Sequence, residues 1–152
     1  MILSNIQTVD VFVNSAKLND LKILHLSDLH INKKTNLENV QELVNLCNDL
    51  VFDFCVITGD IIDTKVKFIK EQLQILNTLK FKVYYISGNH DFFYGLEDLK
   101  NELSNFIFMD NSCKEFIYKN ETIFLAGLPD RFSKFFGIKR EEQKIKNYLL
   151  NE

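Results

Sequence analysis

The sequence predicts an α/β domain built on a parallel sheet, and three observations carry that expectation. Short apolar runs of strand length alternate with amphipathic segments of helical period over the first two-thirds of the chain. The second run is more continuously apolar than the first, as an inner strand is. Three runs then end in polar clusters, "SDLH" (Ser27–His30), "TGDIID" (Thr58–Asp63) and "SGNHD" (Ser87–Asp91). Parallel sheets hold their ligands at the carboxyl ends of strands.

In chain order, "TVDVFV" (Thr8–Val13) alternates apolar and polar residues and reads as an exposed strand. "LKILHLS" (Leu21–Ser27) reads as an inner strand. In "NLENVQELVNLCNDL" (Asn36–Leu50), helical spacing puts Leu37, Val40, Leu43, Val44, Cys47 and Leu50 on one face, and Asn36 stands where an N-cap belongs. "DFCVIT" (Asp53–Thr58) is a second buried strand. "FIKEQLQILNTLK" (Phe68–Lys80) is a second helix, with Ile69, Leu73 and Leu76 facing in. "KVYYIS" (Lys82–Ser87) is a third strand and "GLEDLKNELSN" (Gly95–Asn105) a short helix. This alternation argues for parallel strands joined by helical crossovers. The later part changes character. "CKEFIYKNETIFLAG" (Cys113–Gly127) reads as a hairpin turning at Lys119–Asn120, and "REEQKIKNYLLNE" (Arg140–Glu152) as a last helix with Ile145, Tyr148 and Leu149 on one face. Between them "RFSKFFGI" (Arg131–Ile138) is too apolar for a loop in water, which predicts exposed apolar surface and, from it, self-association or a covering C-terminal segment.

Length and composition set bounds. At 152 residues, 46% hydrophobic and 26% charged, the chain suits one globular domain, not a disordered one. A net charge of −3 gives no basic field for tracking a nucleic acid. No run approaches the ~18 apolar residues of a membrane span. The opening "MILSNIQTVDVFVNSAK" is interrupted by Asn5, Gln7 and Asp10 and lacks the pattern of a signal peptide. Cys47, Cys55 and Cys113 are odd in number and form no CxxC pair, so free buried thiols in a reducing compartment are expected, with the cytoplasm as the location.

The three strand ends supply the chemistry. If the strands are parallel neighbours, Asp28, His30, Asp60, Asn89 and His90 converge on one rim. Carboxylate, imidazole and amide donors suit divalent ions such as Mn²⁺, Fe²⁺ or Zn²⁺, and a carboxylate such as Asp60 can bridge two of them. Gly59 and Gly88 allow tight turns that bring backbone close to the ligand. Each cluster alone has an ordinary explanation, since Asp, Asn and His often cap or turn a chain. The ordered set of three, one per strand, favours a metal site. His25 lies within its strand, on the face opposite Asp28 by alternation, and is left out.

In these motifs, "DLH" (Asp28–His30), "GDIID" (Gly59–Asp63) and "GNHD" (Gly88–Asp91), the chain resembles the calcineurin-like metallophosphoesterases, and "IFLAGLPD" (Ile123–Asp130) resembles a further strand of that family. The resemblance covers about residues 21 to 130. It implies a metallo-dependent phosphatase-like αββα sandwich and hydrolysis of a phosphomonoester or phosphodiester by metal-activated hydroxide. Carried over by position, Asp28 and His30 bind one metal, Asp60 bridges two, and Asn89 binds the second. His90 becomes the proton donor or a phosphate contact, Asp63 orients His90, and Asp91 supports the site from behind. The family's second motif continues with Arg-Gly in its protein phosphatases, where this chain has Thr64 and Lys65, which argues against a phosphoprotein substrate. The later lone His and Gly-His-x-His motifs of the family are absent, because the only histidines are His25, His30 and His90. The expectation is therefore a single domain over residues 1–152 that looks incomplete at its C-terminus, with one or fewer tightly bound divalent ions and weak or no activity by itself. The alternative is a non-catalytic metal-binding or partner-binding remnant of the same fold.

Overall fold

In the computed structural model, which describes residues 7–151, one sheet contains β1 (Ile23–Leu26), β2 (Phe54–Thr58), β3 (Val83–Ile86) and β4 (Phe106–Phe108), all parallel and in that order. Each new strand is added on the same side of the last. Right-handed crossovers then place every connecting helix on one face of the sheet. Those helices are α1 (Leu37–Asp49), α2 (Lys70–Leu76), α3 (Asn89–Tyr94) and α4 (Leu96–Glu102). The core lies between them and the sheet. Cys55, Ile57, Val83 and Tyr85 point into it from the strands, and Val40, Leu43, Val44, Leu73, Leu76 and Leu99 from the helices.

The opposite face is covered by a second, two-stranded antiparallel sheet, β5 (Ser112–Tyr118) and β6 (Glu121–Gly127). Phe116 of β5 stacks on Phe54 at 5.0 Å between ring centroids and meets Tyr84 edge-on at 4.8 Å. The hairpin turns at Lys119 (φ 47°) and Asn120 (φ 64°), two left-handed residues in a row, as a turn matched to strand twist requires. The last helix, α5 (Glu142–Asn151), buries Ile145 and leans Tyr148 edge-on to Phe124. The cover is partial, since Ile23, at the β1 edge of the sheet, stays 49% exposed.

The parallel α/β architecture, the three motif-bearing strands and the hairpin agree with the sequence reading; several finer expectations do not. Thr8–Val13 forms no strand and lies exposed in irregular chain, because its alternation meets no neighbouring strand to pair with. The expected helix Phe68–Lys80 is only Lys70–Leu76, preceded by a 3-10 turn over Val66–Phe68, although Ile69, Leu73 and Leu76 are buried as expected. Asn36 occupies the N-cap of α1, but its side chain makes no capping hydrogen bond. Leu37 is partly exposed and Leu50 is the C-cap, so the buried stripe of α1 runs only from Val40 to Cys47. The sequence reading assigns no element to the six residues of α3 or to the three of β4. Residues 1–6 of the opening stretch and Glu152 of the last helix lie outside the described residues. The thiols are free; burial pushes Cys47 up to about 11 and Cys55 up to about 12, while Cys113 is half-exposed on the hairpin.

Candidate metal centre

The loops leaving β1 and β2 run side by side beyond the strands. Asp28 N donates to Gly59 O at 3.2 Å, His30 N to Asp60 O at 3.0 Å and Ile31 N to Ile61 O at 2.9 Å. A parallel bridge between Ile31 and Ile62 closes this extension. To make it, Asp28 (φ 55°), His30 (φ 45°) and Asp60 (φ 55°) all adopt left-handed backbone. For side chains with a Cβ this conformation costs on the order of 1 kcal/mol each, and such strain clusters at functional sites. Three strained residues meet here, and all three are candidate ligands.

The loop after β3 locks onto the same rim. Gly59 and Gly88 touch backbone to backbone: a Cβ on Gly59 would stand 2.6 Å from Gly88 Cα, and one on Gly88 would strike the Asp60 carboxylate. Close approach therefore requires glycine at both positions, and the positive φ of 90° requires it a second time at Gly59. Asp91 lies at the third position of α3, fully buried. Its Oδ2 accepts from Gly88 N and Asp60 N, both at 2.9 Å, and its Oδ1 from Ile61 N at 2.9 Å and Ile62 N at 3.2 Å. Burial pushes the Asp91 carboxyl up, while the N–H donors of Gly88, Ile62 and Asp60 pull it down. With two donors on each oxygen, the hydrogen-bond geometry suits the carboxylate. The Tyr85 phenol beneath it is pushed up by burial and by the Asp91 charge. Asp91 thus ties the "GDIID" turn to the "GNHD" turn.

On this frame the side chains converge. Ligand atoms of Asp28, His30 and Asp60 lie within 4.8 Å of one another, as do those of His30, Asp63 and His90. His30 Nε2 stands 3.6 Å from Asp28 Oδ1, and the His30 and His90 rings meet edge-on at 4.6 Å. Asp60 Oδ1 accepts from His90 N at 2.9 Å. His90 Nδ1 meets Asp63 Oδ1 at 2.8 Å. Asn89 opens α3 beside them, half-buried. The Asp28 side chain is 64% exposed, so the rim faces solvent. An oxygen–imidazole–oxygen set at this spacing fits a divalent ion with open positions left for other ligands.

His25 stays outside the cluster: its Nε2 lies 2.7 Å from Thr58 Oγ1 on the hairpin side of the sheet. The sequence reading had divided His30 from His90 by role, and the structure adds that both belong to one cluster with Asp63. One supporting residue lies outside the three motifs. Asp110, just past β4, accepts from Ser87 N at 3.0 Å and from Ser87 Oγ, and so holds the end of β3. Burial pushes its carboxyl up against the pull of those two donors. Its signal was a carboxylate after an apolar run, hidden because the strand is three residues long.

Comparison with known proteins agrees with this geometry. The model of the calcineurin-like phosphoesterase family matches residues 21–148. An uncharacterized metallophosphoesterase of Campylobacter jejuni is 32% identical over 96 residues, which is 62% of this chain and 25% of that protein. One of Helicobacter pylori is 30% identical over 111 residues, 72% of this chain and 28% of that protein. One of Bacillus subtilis is 34% identical over 114 residues, 64% of this chain and 40% of that protein. A zebrafish relative, a transmembrane protein with a metallophosphoesterase domain, is 31% identical over 93 residues, 57% of this chain and 21% of that protein. The aligned part of this chain thus spans between about a fifth and two-fifths of these relatives. With the family model matching most of this chain and the motif residues gathered at one rim, the chain belongs to the calcineurin-like phosphoesterase family.

Proposed function

We propose that the chain is a divalent-metal-dependent phosphoesterase that hydrolyses a phosphomonoester or phosphodiester. The observation that carries this reading is the convergence of Asp28, His30 and Asp60 within 4.8 Å, beside the His90–Asp63 pair. Asp28, His30 and Asp60 would hold one divalent ion, Mn²⁺, Fe²⁺ or Zn²⁺, and Asp60 with Asn89 part of the shell of a second. A bound ion supplies Lewis acidity and lowers the pKa of water. The chain's own residues do the rest. Asp63 accepts from His90 Nδ1–H, which fixes the ring and leaves Nε2 as the nitrogen that meets substrate. In that position His90 contacts the phosphate or protonates the leaving oxygen. Asp91 keeps the Asp60 turn in place through backbone N–H groups. The chemistry lies within residues 21–130 of a single domain. No helix among the described residues is long and apolar enough to cross a membrane, and the free thiols favour a reducing compartment such as the cytoplasm.

The test pairs metal analysis with turnover of bis(p-nitrophenyl) phosphate in Mn²⁺. Asp60→Asn is expected to abolish most activity and lower metal content. His90→Asn is expected to lower turnover more than metal content. A second reading, in which His90 is itself a ligand, draws on the His30–Asp63–His90 cluster. It predicts equal loss of metal in the two variants. Metal bound with no turnover in the unaltered chain would support the non-catalytic alternative.

A further inference from the structure

Two loops leave the metal rim, Asn32–Leu37 after "DLH" and Thr64–Lys70 after "GDIID". They contain Lys33, Lys34, Lys65, Lys67 and Lys70 and no acidic residue, in a chain whose net charge is −3. The loops are held against each other and against the site. Asp63 N donates to Ile31 O at 2.9 Å, Ile31 bridges Ile62, and Gln72 Nε2 donates to Thr35 O at 3.0 Å. Across this junction two ammonium groups share one ring. Lys33 Nζ lies 3.6 Å and Lys67 Nζ 5.0 Å from the centroid of Phe68, itself 48% exposed. Lys70 pairs with Glu102. Lys33, Lys34, Lys65 and Lys67 are exposed and form no ion pair among the described residues. Like charges gathered on a fixed frame repel, and a bound anion relieves that repulsion.

We propose that Lys33 and Lys67 over Phe68, flanked by Lys34 and Lys65, dock a second anionic group of the substrate. The substrate class is then a compact phosphoester with at least one further phosphate beyond the scissile one, as in a pyrophosphate or polyphosphate ester. This rests on the phosphoesterase reading above, since the rim is the place where the first phosphate would sit. A nucleic acid strand fits less well. It needs an extended basic track, and this cluster is confined to two short loops of an acidic chain.

The test uses the full chain, stripped of metal, titrated with inorganic tripolyphosphate and with inorganic phosphate by calorimetry. Tripolyphosphate is expected to bind more tightly than phosphate. Lys33→Gln combined with Lys67→Gln should weaken it about tenfold, the scale of losing charge-assisted contacts. Lys33→Arg with Lys67→Arg should restore binding, which separates charge from any change of fold. Equal binding of tripolyphosphate by the unaltered and Gln chains, loss in the Arg chain, or tighter binding of a single-stranded oligonucleotide than of tripolyphosphate would each overturn the proposal. Neither lysine is placed among the metal ligands, so metal content should survive the Gln substitutions. The failure of this inference is therefore distinct from failure of the phosphoesterase reading, which Asp60→Asn tests.

Discussion

The two faces of the β1–β4 sheet come from the same strands, yet they are sealed differently. Toward the helices, Cys55, Ile57, Val83 and Tyr85 are almost without solvent contact. Toward the hairpin, Phe54 alone among the described strand residues is buried, and Phe116 stacks on it. Tyr84 and Ile86 are half-buried, and Ile23 and His25 are open. The cause lies in how each cover is connected. Every helix on the first face is a crossover between adjacent strands, so chain connectivity itself presses it onto the sheet. The hairpin is reached only after β4, and it meets the sheet through the ring contacts of Phe116 and the close approach of Gly127 to Ile86. The metal rim, at the carboxyl ends of the strands, depends on the helix side, because Asp91 and His90 ride on α3.

That difference can be measured. Leu73→Ala, at a fully buried position of α2, should cost about 3 kcal/mol by loss of transfer energy and by the cavity left behind. Urea unfolding checks it, and the same substitution should also loosen the rim. A loss below about 1 kcal/mol would mean that the helix face is less tightly packed than its burial implies. Phe116→Ala should cost less, about 1.5 kcal/mol, because its ring is partly exposed and its return is mainly the stacking on Phe54 and Tyr84. Metal content should hold in this variant, since no rim residue is part of the hairpin. If Phe116→Ala proved as costly as Leu73→Ala, the two faces would be equal partners in stability.

The same contrast explains what was legible in the sequence. On the helix side, Val40, Leu43, Val44 and Cys47 repeat with helical period, and each strand announces its end by a change from apolar to polar residues. The rim was readable for that reason: Asp28, His30, Asp60 and His90 each stand at a strand end, and parallel neighbours bring such ends together. The left-handed backbone at Asp28, His30 and Asp60 was not readable, because Asp and His favour positive φ over other side chains but still adopt it in only a small minority of positions. Asp110 was hidden by the shortness of β4. Thr8–Val13 misled for the complementary reason: it has the alternation of a strand but no partner strand beside it. The apolar segment Arg131–Ile138 was half right as an exposed surface. Phe136 stacks on Phe92 at 5.5 Å and Ile138 packs against the core, while Phe135 remains 68% exposed.

The smallest effect belongs to the open part of the hairpin side. Ile23→Thr keeps a β-branched residue in β1 and replaces an apolar surface that is already 49% exposed. In a chain whose hairpin face is open in solution, the change should alter stability by less than about 0.5 kcal/mol, the usual range for surface sites. It should also be independent of protein concentration. The sequence suggested instead that exposed apolar residues seek a cover, either a second copy or a further segment. A second copy seated on this face would bury Ile23. The substitution would then cost stability in proportion to the area covered, and the unfolding midpoint would rise with concentration in the unaltered chain but not in the variant. Unfolding at two concentrations about a hundredfold apart, with light scattering at each, reads both quantities. A concentration-dependent midpoint abolished by Ile23→Thr would show that the face is shared between copies. An unchanged midpoint would leave the open face a property of the monomer.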